Sequence, residues 1–224
     1  MQRMCVRSYQ VQGHEFHLYT YGDVEGVPEG VILKDGCDIM PPLSECGWCP
    51  NMSHFGDFFR YELLLKMGCW VVDMDTVCLK SFDFEEEHVL AGEYFPEPPP
   101  VRINGNVIKA PVGSYIVKHI FDKCRVMDLM KDHHWGRTGP EAITDSVAEL
   151  GVESLVKPPQ FFNPVPHTWV PAFINPNSDV STAWKLDDAY CLHWWAGGWQ
   201  SRGMDLDATY SSECLYERMK ARYL

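Results

Sequence analysis

The segment from Gly56 to Thr76 constrains the fold most, because a helix, a stop, a strand and two acidic residues follow each other closely. The apolar spacing from Asp57 to Met67 predicts a helix, with the Asp57 carboxylate at its start and Gly68 as its stop. Trp70 to Val72 then predicts a short buried strand. This order is typical of an α/β chain, in which ligands bind at the carboxyl ends of strands.

Two aspartates, Asp73 and Asp75, follow where that strand should end. Side chains two residues apart point the same way on a strand, so the two carboxylates would form one anionic corner. Such a corner suits Mg²⁺ or Mn²⁺ that also holds phosphate oxygens. An Asp-x-Asp pair is also common in turns and solvated loops, and its spacing alone leaves both interpretations open.

A second cluster lies near the C-terminus, where His193 begins the run His-Trp-Trp-Ala-Gly-Gly-Trp. Glycine lets the backbone approach a ligand, tryptophan offers a stacking face and an N–H donor, and histidine can bind a metal. A flexible loop that closes over a metal–phosphate ligand would explain this run. An aromatic lock for the core would explain it equally well.

The rest of the chain adds strands and helices without dividing it. No repeat or shift in composition marks a boundary, and the Pro96–Pro100 segment is too short for a linker, so we expect one domain over residues 1–224. After Lys157 the chain is rich in aromatic residues and proline and has few helix signals. Further strands are predicted at 14–19, 31–33, 89–91 and 103–111, and further helices at 3–11, 114–130 and 141–150.

Composition excludes some classes of function. The chain has 224 residues, 46% of them hydrophobic, so a substantial core can form. Its formal net charge of -12 disfavours nucleic acid as a partner but permits phosphorylated ligands, because a bound divalent cation reverses the local sign. We predict no transmembrane segment and no secretory signal.

The nine cysteines are scattered, which suggests a reducing compartment and hence a cytoplasmic location. Cys46 and Cys49 form a Cys-x-x-Cys pair that could belong to a zinc or redox site. Cys37 and His54 lie nearby, but their spacing matches no familiar zinc module. Structural or incidental thiols are therefore favoured, and a zinc-stabilised interaction domain is an alternative.

Several motifs occur together in a known order. They are Asp57, Arg60 and Tyr61; Asp73 and Asp75; Asn106; Thr138-Gly139-Pro140; and His193, Trp195 and Trp199. From about Arg3 to Gln200 the chain thereby resembles the DXD-containing glycosyltransferases of family 32, relatives of Och1-type mannosyltransferases and of transferases that build bacterial capsular polysaccharides. It departs from the family at Cys69, Val71, Trp194 and Gly198. We expect the family's usual first strand to be missing, either by truncation or because other residues form the base pocket.

The resemblance implies a GT-A fold, which is Rossmann-like with a mixed central sheet and flanking helices. It also implies an enzyme that transfers a sugar, with retention of configuration, from a UDP- or GDP-sugar to a glycan or another hydroxyl acceptor. Mn²⁺ or Mg²⁺ would be held by Asp73, Asp75 and His193. The implied catalytic residues are Asp57, Arg60 and Asn106, and the residues implied to contact the donor are Asp73, Asp75, Tyr61 and Trp199, the last as a lid.

Two alternatives share parts of this pattern. A catalytically inactive module of the same fold would bind a nucleotide sugar or a glycan without turnover. A glycoside hydrolase would use paired carboxylates and no metal. Asp73 and Asp75 are too close in sequence to flank a sugar easily from opposite sides, so the hydrolase is disfavoured.

Overall fold

The computed structural model describes residues 1–95 and 101–224, which form eight strands and eight α-helices joined by turns and short 3₁₀ segments. The strands are β1 His17–Thr20, β2 Ile32–Asp35, β3 Cys69–Val72, β4 Thr76–Cys78, β5 Val89–Tyr94, β6 Val101–Ala110, β7 Val156–Lys157 and β8 Cys191–His193. The helices are α1 Gln2–Val11, α2 Met52–Met67, α3 Tyr115–Arg125, α4 Ala142–Leu150, α5 Pro159–Phe162, α6 Val180–Ala183, α7 Ala196–Gln200 and α8 Leu215–Tyr223.

A four-stranded sheet in the order β3-β6-β5-β7 forms the centre of the fold. β6 pairs antiparallel with β3 and with β5, whereas β5 and β7 run parallel, so the sheet is mixed. β1 and β2 form a separate parallel pair, and β4 and β8 an antiparallel one. The prediction of an α/β chain with a mixed central sheet and flanking helices is confirmed.

The central sheet is buried on both faces. Successive strand residues point to opposite sides, and each side is covered by other elements. On β5, Leu90 packs with α2, α3 and α4, whereas Val89 and Ala91 pack on the other face with α1, α5 and the aromatic residues around Phe82. On β6, Ile108 and Val107 divide in the same way. The candidate site begins at the end of β3, which pairs with β6 in this three-layer arrangement.

The α2 helix begins five residues earlier than predicted. Asn51 caps it, since its Oδ1 accepts from the backbone N–H groups of Ser53 and His54 at 3.0 and 3.1 Å. The prediction that Asp57 starts the helix is therefore wrong, and its carboxylate lies in the second turn. The stop at Gly68 is confirmed, because its φ of 57° is left-handed and a Cβ there would meet Val112 N at 2.3 Å.

Two other expectations need correction. α3 ends at Arg125 rather than near Met130, because the chain turns so that Leu129 is buried in the core. The polar C-terminal segment forms α8, which the sequence did not predict, and it packs through Leu215, Tyr216 and Tyr223. The proline-rich break at Pro96–Pro100 lies outside the described residues. Among the helices of residues 1–95 and 101–224, none combines the length and apolar composition needed to cross a bilayer.

Candidate active site

Three predicted metal ligands, Asp73, Asp75 and His193, converge at the end of β3. Asp73 follows β3, Asp75 precedes β4, and His193 ends β8. The β4–β8 register sets Thr76 opposite His193, which brings the two distant segments together. The ligand atoms of the three residues all lie within 4.8 Å of one another. Two carboxylates and one imidazole thus form a compact donor set that fits a divalent cation such as Mn²⁺.

Asn163 orients the ring of His193. Its amide nitrogen donates to the Gly92 carbonyl at 3.0 Å, and a carbonyl can only accept, so the amide oxygen must face His193. That oxygen lies 3.0 Å from His193 Nδ1, which therefore carries hydrogen. The other ring nitrogen, Nε2, points to Asp75 Oδ1 at 3.3 Å. A histidine oriented in this way presents Nε2 to the centre of the cluster.

Asp75 is held at both carboxylate oxygens. Oδ1 faces His193, and Oδ2 accepts from the backbone N–H of Ala196 at 2.8 Å, at the start of α7. Burial raises the pKa of Asp75, but His193 and the Ala196 amide outweigh it and hold that pKa below its usual value. Burial lowers the pKa of His193, and Asp75 in turn raises it above the usual value. Each partner therefore favours the charged form of the other.

A second set of charges adjoins the first through Arg60. Its guanidinium donates to Asp57 Oδ1 at 2.7 Å and, by the other terminal nitrogen, to Asp73 Oδ1. Burial would lower the pKa of Arg60, but Asp73 and Asp57 raise it, so the guanidinium stays charged. Burial raises the pKa of Asp57, and Arg60 offsets only part of this effect. Arg60 thus fixes a metal-ligand candidate, Asp73, relative to α2.

Two glycines make room for this pair, Gly105 beside Asn106 and Gly139 of the Thr138-Gly139-Pro140 motif. A Cβ at Gly105 would lie 2.7 Å from Arg60 Nη1, and a Cβ at Gly139 would lie 2.9 Å from Asp57 Oδ2. Thr138, the residue before Gly139, donates its hydroxyl to Asp57 Oδ2 at 2.8 Å. Glycine is therefore explained at both positions, because a Cβ would collide with the side chains of Arg60 and Asp57.

A cavity of about 800 Å³ opens over both sets of charges. Asp57, Arg60, Asp73, Asp75 and His193 line it. A second cavity, of about 650 Å³, lies between β1 and β3 and is also lined by Gly56, Arg60 and Asp73. Arg60 and Asp73 therefore line both cavities, and Asp73 is itself a metal-ligand candidate.

The C-terminal aromatic run divides between the larger cavity and the core. Trp195, whose φ of 59° is left-handed, stacks on His193 with ring centroids 3.9 Å apart and lines the larger cavity with Gly197 and Gly198. Trp194 and Trp199 are fully buried in the core. The glycines lie in α7, so the predicted flexible loop is a short helix instead.

The structure places three residues predicted to contact the ligand in the interior. Trp199 is fully buried and donates its indole N–H to the Trp194 carbonyl at 2.7 Å. Tyr61 is fully buried, and its hydroxyl donates to the Thr138 carbonyl at 2.7 Å. Asn106 is also fully buried, and its amide pairs with that of Asn163. Asn106 thus positions Asn163.

Sequence reasoning missed Asn163, which links β5, β6 and β8. It is 1% exposed and stands in a Phe-Phe-Asn-Pro stretch that reads as the end of a helix. Nothing in that pattern distinguishes it from a turn residue, since its partners lie far away in the chain. Arg102 and Trp135, which also line the larger cavity, carried no recognisable motif either.

The Cys-x-x-Cys pair does not form a metal site in the described part of the chain. Cys46 and Cys49 are buried with Phe55, and their thiols contact the Pro41 and Asn51 carbonyls. In residues 1–95 and 101–224 the one group with metal-ligand spacing is Asp73, Asp75 and His193. All nine cysteines are free.

Comparisons with known proteins show limited similarity. No family model matches the chain, and no curated protein matches it. Among solved structures it is similar to the PaToxG glycosyltransferase, with 11% identity and a TM-score of 0.49, over 99% of this chain and 79% of the other. At this level the similarity establishes neither a family nor an activity.

Replacement of Asn163 by leucine should weaken metal binding through His193. The variant removes the partner of Nδ1 and leaves the amide of Asn106 buried without its partner, which should cost about 1–3 kcal/mol of stability. Loss of an outer partner of a ligating histidine should weaken Mn²⁺ binding about 10–100-fold. Calorimetric titration with Mn²⁺ and thermal melting would measure the two effects. Asn177→Ala, at an exposed turn, is the matched control and should change neither; unaltered affinity in Asn163→Leu would show that Asn163 does not orient His193.

Proposed function

We propose that the protein is a metal-dependent retaining glycosyltransferase, with one GT-A-like domain, that moves a sugar from a UDP- or GDP-sugar to a glycan or another hydroxyl acceptor. The observation that carries this proposal is the convergence of Asp73, Asp75 and His193 beside the Asp57–Arg60 pair, in one cavity. These residues come from three of the motifs that resemble family 32, and they are far apart in sequence.

The charge of the cluster supports a divalent cation. Arg60 offsets the charge of Asp57, which leaves the two negative charges of Asp73 and Asp75 beside the Nε2 atom of His193. Mn²⁺ accepts imidazole together with carboxylate ligands. Mg²⁺, a hard cation that prefers oxygen ligands, is the alternative. When bound, the cation would neutralise the charge that develops on the leaving diphosphate.

Two cavities that share lining residues support a long, bipartite donor. A nucleotide sugar has a base and ribose at one end, a sugar at the other and a diphosphate between them. Arg60 and Asp73 line both cavities, whereas Asp75 and His193 line the larger one. We propose that the diphosphate lies beside Arg60 and Asp73, the nucleoside in the smaller cavity and the sugar in the larger one.

The residues of the chain have distinct tasks in this proposal. Asp73 and Asp75 hold the cation, His193 supplies its third ligand, and Asn163 keeps the His193 ring oriented. Arg60 holds Asp57 and Asp73 in place, so that little reorganisation is needed during reaction. Asp57 faces the larger cavity, where its carboxylate can accept hydrogen bonds from hydroxyls of the donor sugar.

One observation favours a second candidate, a nucleotide-sugar-binding module without turnover. Asn106, the residue that the resemblance placed in catalysis, is buried and engaged with Asn163. Within this reading the cavity would bind a donor and release it unchanged. Binding would then depend on the cation, whereas release of free UDP or GDP from the donor would not occur.

Calorimetric titration with a panel of UDP- and GDP-sugars, with and without Mn²⁺, tests the proposal. We expect one donor class to bind with Mn²⁺ and to lose most of its affinity in EDTA, because the diphosphate would meet uncompensated carboxylates. Release of UDP or GDP during incubation separates the transferase from the binding module. Failure of every nucleotide sugar to bind in the presence of Mn²⁺ would refute both.

A further inference from the structure

A cation–aromatic stack forms part of the larger cavity, away from the proposed metal site. The guanidinium of Arg102 lies 4.1 Å from the ring centroid of Phe95 and 5.4 Å from that of Trp135, and all three residues line the cavity. Arg102 lies on β6 four residues before Asn106, whose carbonyl accepts from Asp73 N at 2.8 Å. At strand spacing this places Arg102 roughly 13 Å along β6 from that contact.

Arg102 is prepared to donate hydrogen bonds into the cavity. Its Nε donates to Glu93 Oε1 at 2.6 Å, and the second oxygen of the buried Glu93 accepts from Asn104 at 2.6 Å. The side chain of Arg102 is only 13% exposed, so the guanidinium has a defined position. Within residues 1–95 and 101–224, Glu93 is its hydrogen-bonding partner, and both terminal amino groups remain free to donate.

Trp135 is exposed and stands on an anchored turn. It is 63% exposed beside the cavity. The turn that carries it is anchored, because His133 O accepts from His54 Nε2 at 3.2 Å and His134 bonds Asp132 and Glu141 at 2.7 and 2.9 Å. A tryptophan on an anchored backbone has only two side-chain torsions to order when a ligand covers it.

We propose that Trp135, Arg102 and Phe95 bind the acceptor, and that the acceptor presents a pyranoside ring to them. A pyranoside has an apolar C–H face that can cover Trp135 and hydroxyl oxygens at its rim that can accept from Arg102. The identity of this ligand as the acceptor rests on the proposed function, whereas the binding site itself rests on the stack of Arg102, Phe95 and Trp135. A nucleoside base could also stack on Trp135, and the experiment below distinguishes the two ligands.

The test uses methyl glycosides of glucose, galactose and mannose as probes. Saturation-transfer NMR on the wild-type protein, with Mg²⁺ and UDP or GDP present, should show binding of at least one glycoside. Trp135→Ala should weaken that binding about tenfold. Arg102→Lys keeps the charge but loses the planar fork, and it should also weaken binding without leaving Glu93 unpaired. Trp169→Ala, at another exposed tryptophan outside the cavity, should bind glycosides as the wild type does.

Three results would overturn the acceptor site. They are the absence of glycoside binding to the wild type, equal binding by Trp135→Ala and Trp169→Ala, or loss of uridine or guanosine binding rather than glycoside binding in Trp135→Ala. Failure of the proposed function is a separate result. Glycoside binding through Trp135 without any nucleotide-sugar binding would refute the transferase and leave a carbohydrate-binding site, whereas donor binding without glycoside binding would refute the acceptor site alone.

Discussion

Asp75→Ala should abolish Mn²⁺-dependent turnover of the nucleotide sugar while the protein stays folded. Asp75 supplies one of the three clustered ligand atoms, and loss of one fixed electrostatic element costs about 10²–10³-fold in rate. Loss of the cation itself should cost more. The side chain is 17% exposed at the cavity, so water can replace its contact with Ala196 N–H and the fold should survive.

Release of UDP or GDP from the donor, followed with and without Mn²⁺, measures this effect, and thermal melting monitors the fold. Asp23→Ala makes the same side-chain change in an exposed loop outside the site, and this variant should behave as the wild type. Unimpaired turnover by Asp75→Ala, or by the wild type in EDTA, would rule out the proposed role of the cluster.

Arg60→Met should give the largest loss of stability among the site variants. Arg60 lies between Asp57 and Asp73 with 12% of its side chain exposed, and its removal leaves the buried carboxylate of Asp57 without a counter-ion. Such losses cost about 3 kcal/mol or more, which corresponds to a fall of roughly 6–12 °C in Tm for a chain of this size. Asp73 would also lose its anchor, so Mn²⁺ affinity should fall as well.

The pH dependence of this loss identifies its cause. Burial already raises the pKa of Asp57, and removal of Arg60 should raise it further. A folded-state pKa above the unfolded value makes the folded state relatively more stable as pH falls. The difference in unfolding free energy between Arg60→Met and wild type should therefore shrink from about pH 7 to about pH 5.

Two further variants test whether the loss of stability in Arg60→Met comes from the buried ion pair. Arg60→Met combined with Asp57→Asn removes both charges of the buried pair and should recover part of the lost stability. Lys118→Met breaks an exposed pair with Asp122 and should cost well under ~1 kcal/mol. An Arg60→Met protein as stable as Lys118→Met at every pH would show that the buried pair does not stabilise the fold.

Local sequence patterns predicted much of the fold. The strand at β3, the stop at Gly68 and the helices α1 and α4 were expected from spacing and turn residues, because those preferences act over a few neighbouring residues. The start of α2 was misplaced, since Asp57 and Asn51 are both acceptable caps by residue type. Only the backbone contacts show that Asn51 serves as the cap.

The candidate site was likewise predicted only in part from local sequence patterns. Asp73 and Asp75 were recognised because a carboxylate pair at the end of a strand is a local pattern, and His193 because it joined a recognised motif. Trp199 and Tyr61 belong to the same motifs, yet both are buried with satisfied polar groups. A motif specifies residue types and spacing, but packing decides which face of a residue meets the cavity.

Residue types and their spacing indicate an α/β chain with an acidic corner after a strand and a histidine in a tryptophan- and glycine-rich run. Tertiary structure alone decided that the β4–β8 register brings His193 to Asp75 and that Asn163 orients the ring. It also decided that Arg60 joins Asp57 to Asp73. Helix and turn preferences act between residues that are neighbours in sequence. Strand register and hydrogen-bond partners depend on contacts between distant segments, so they cannot be read from local patterns.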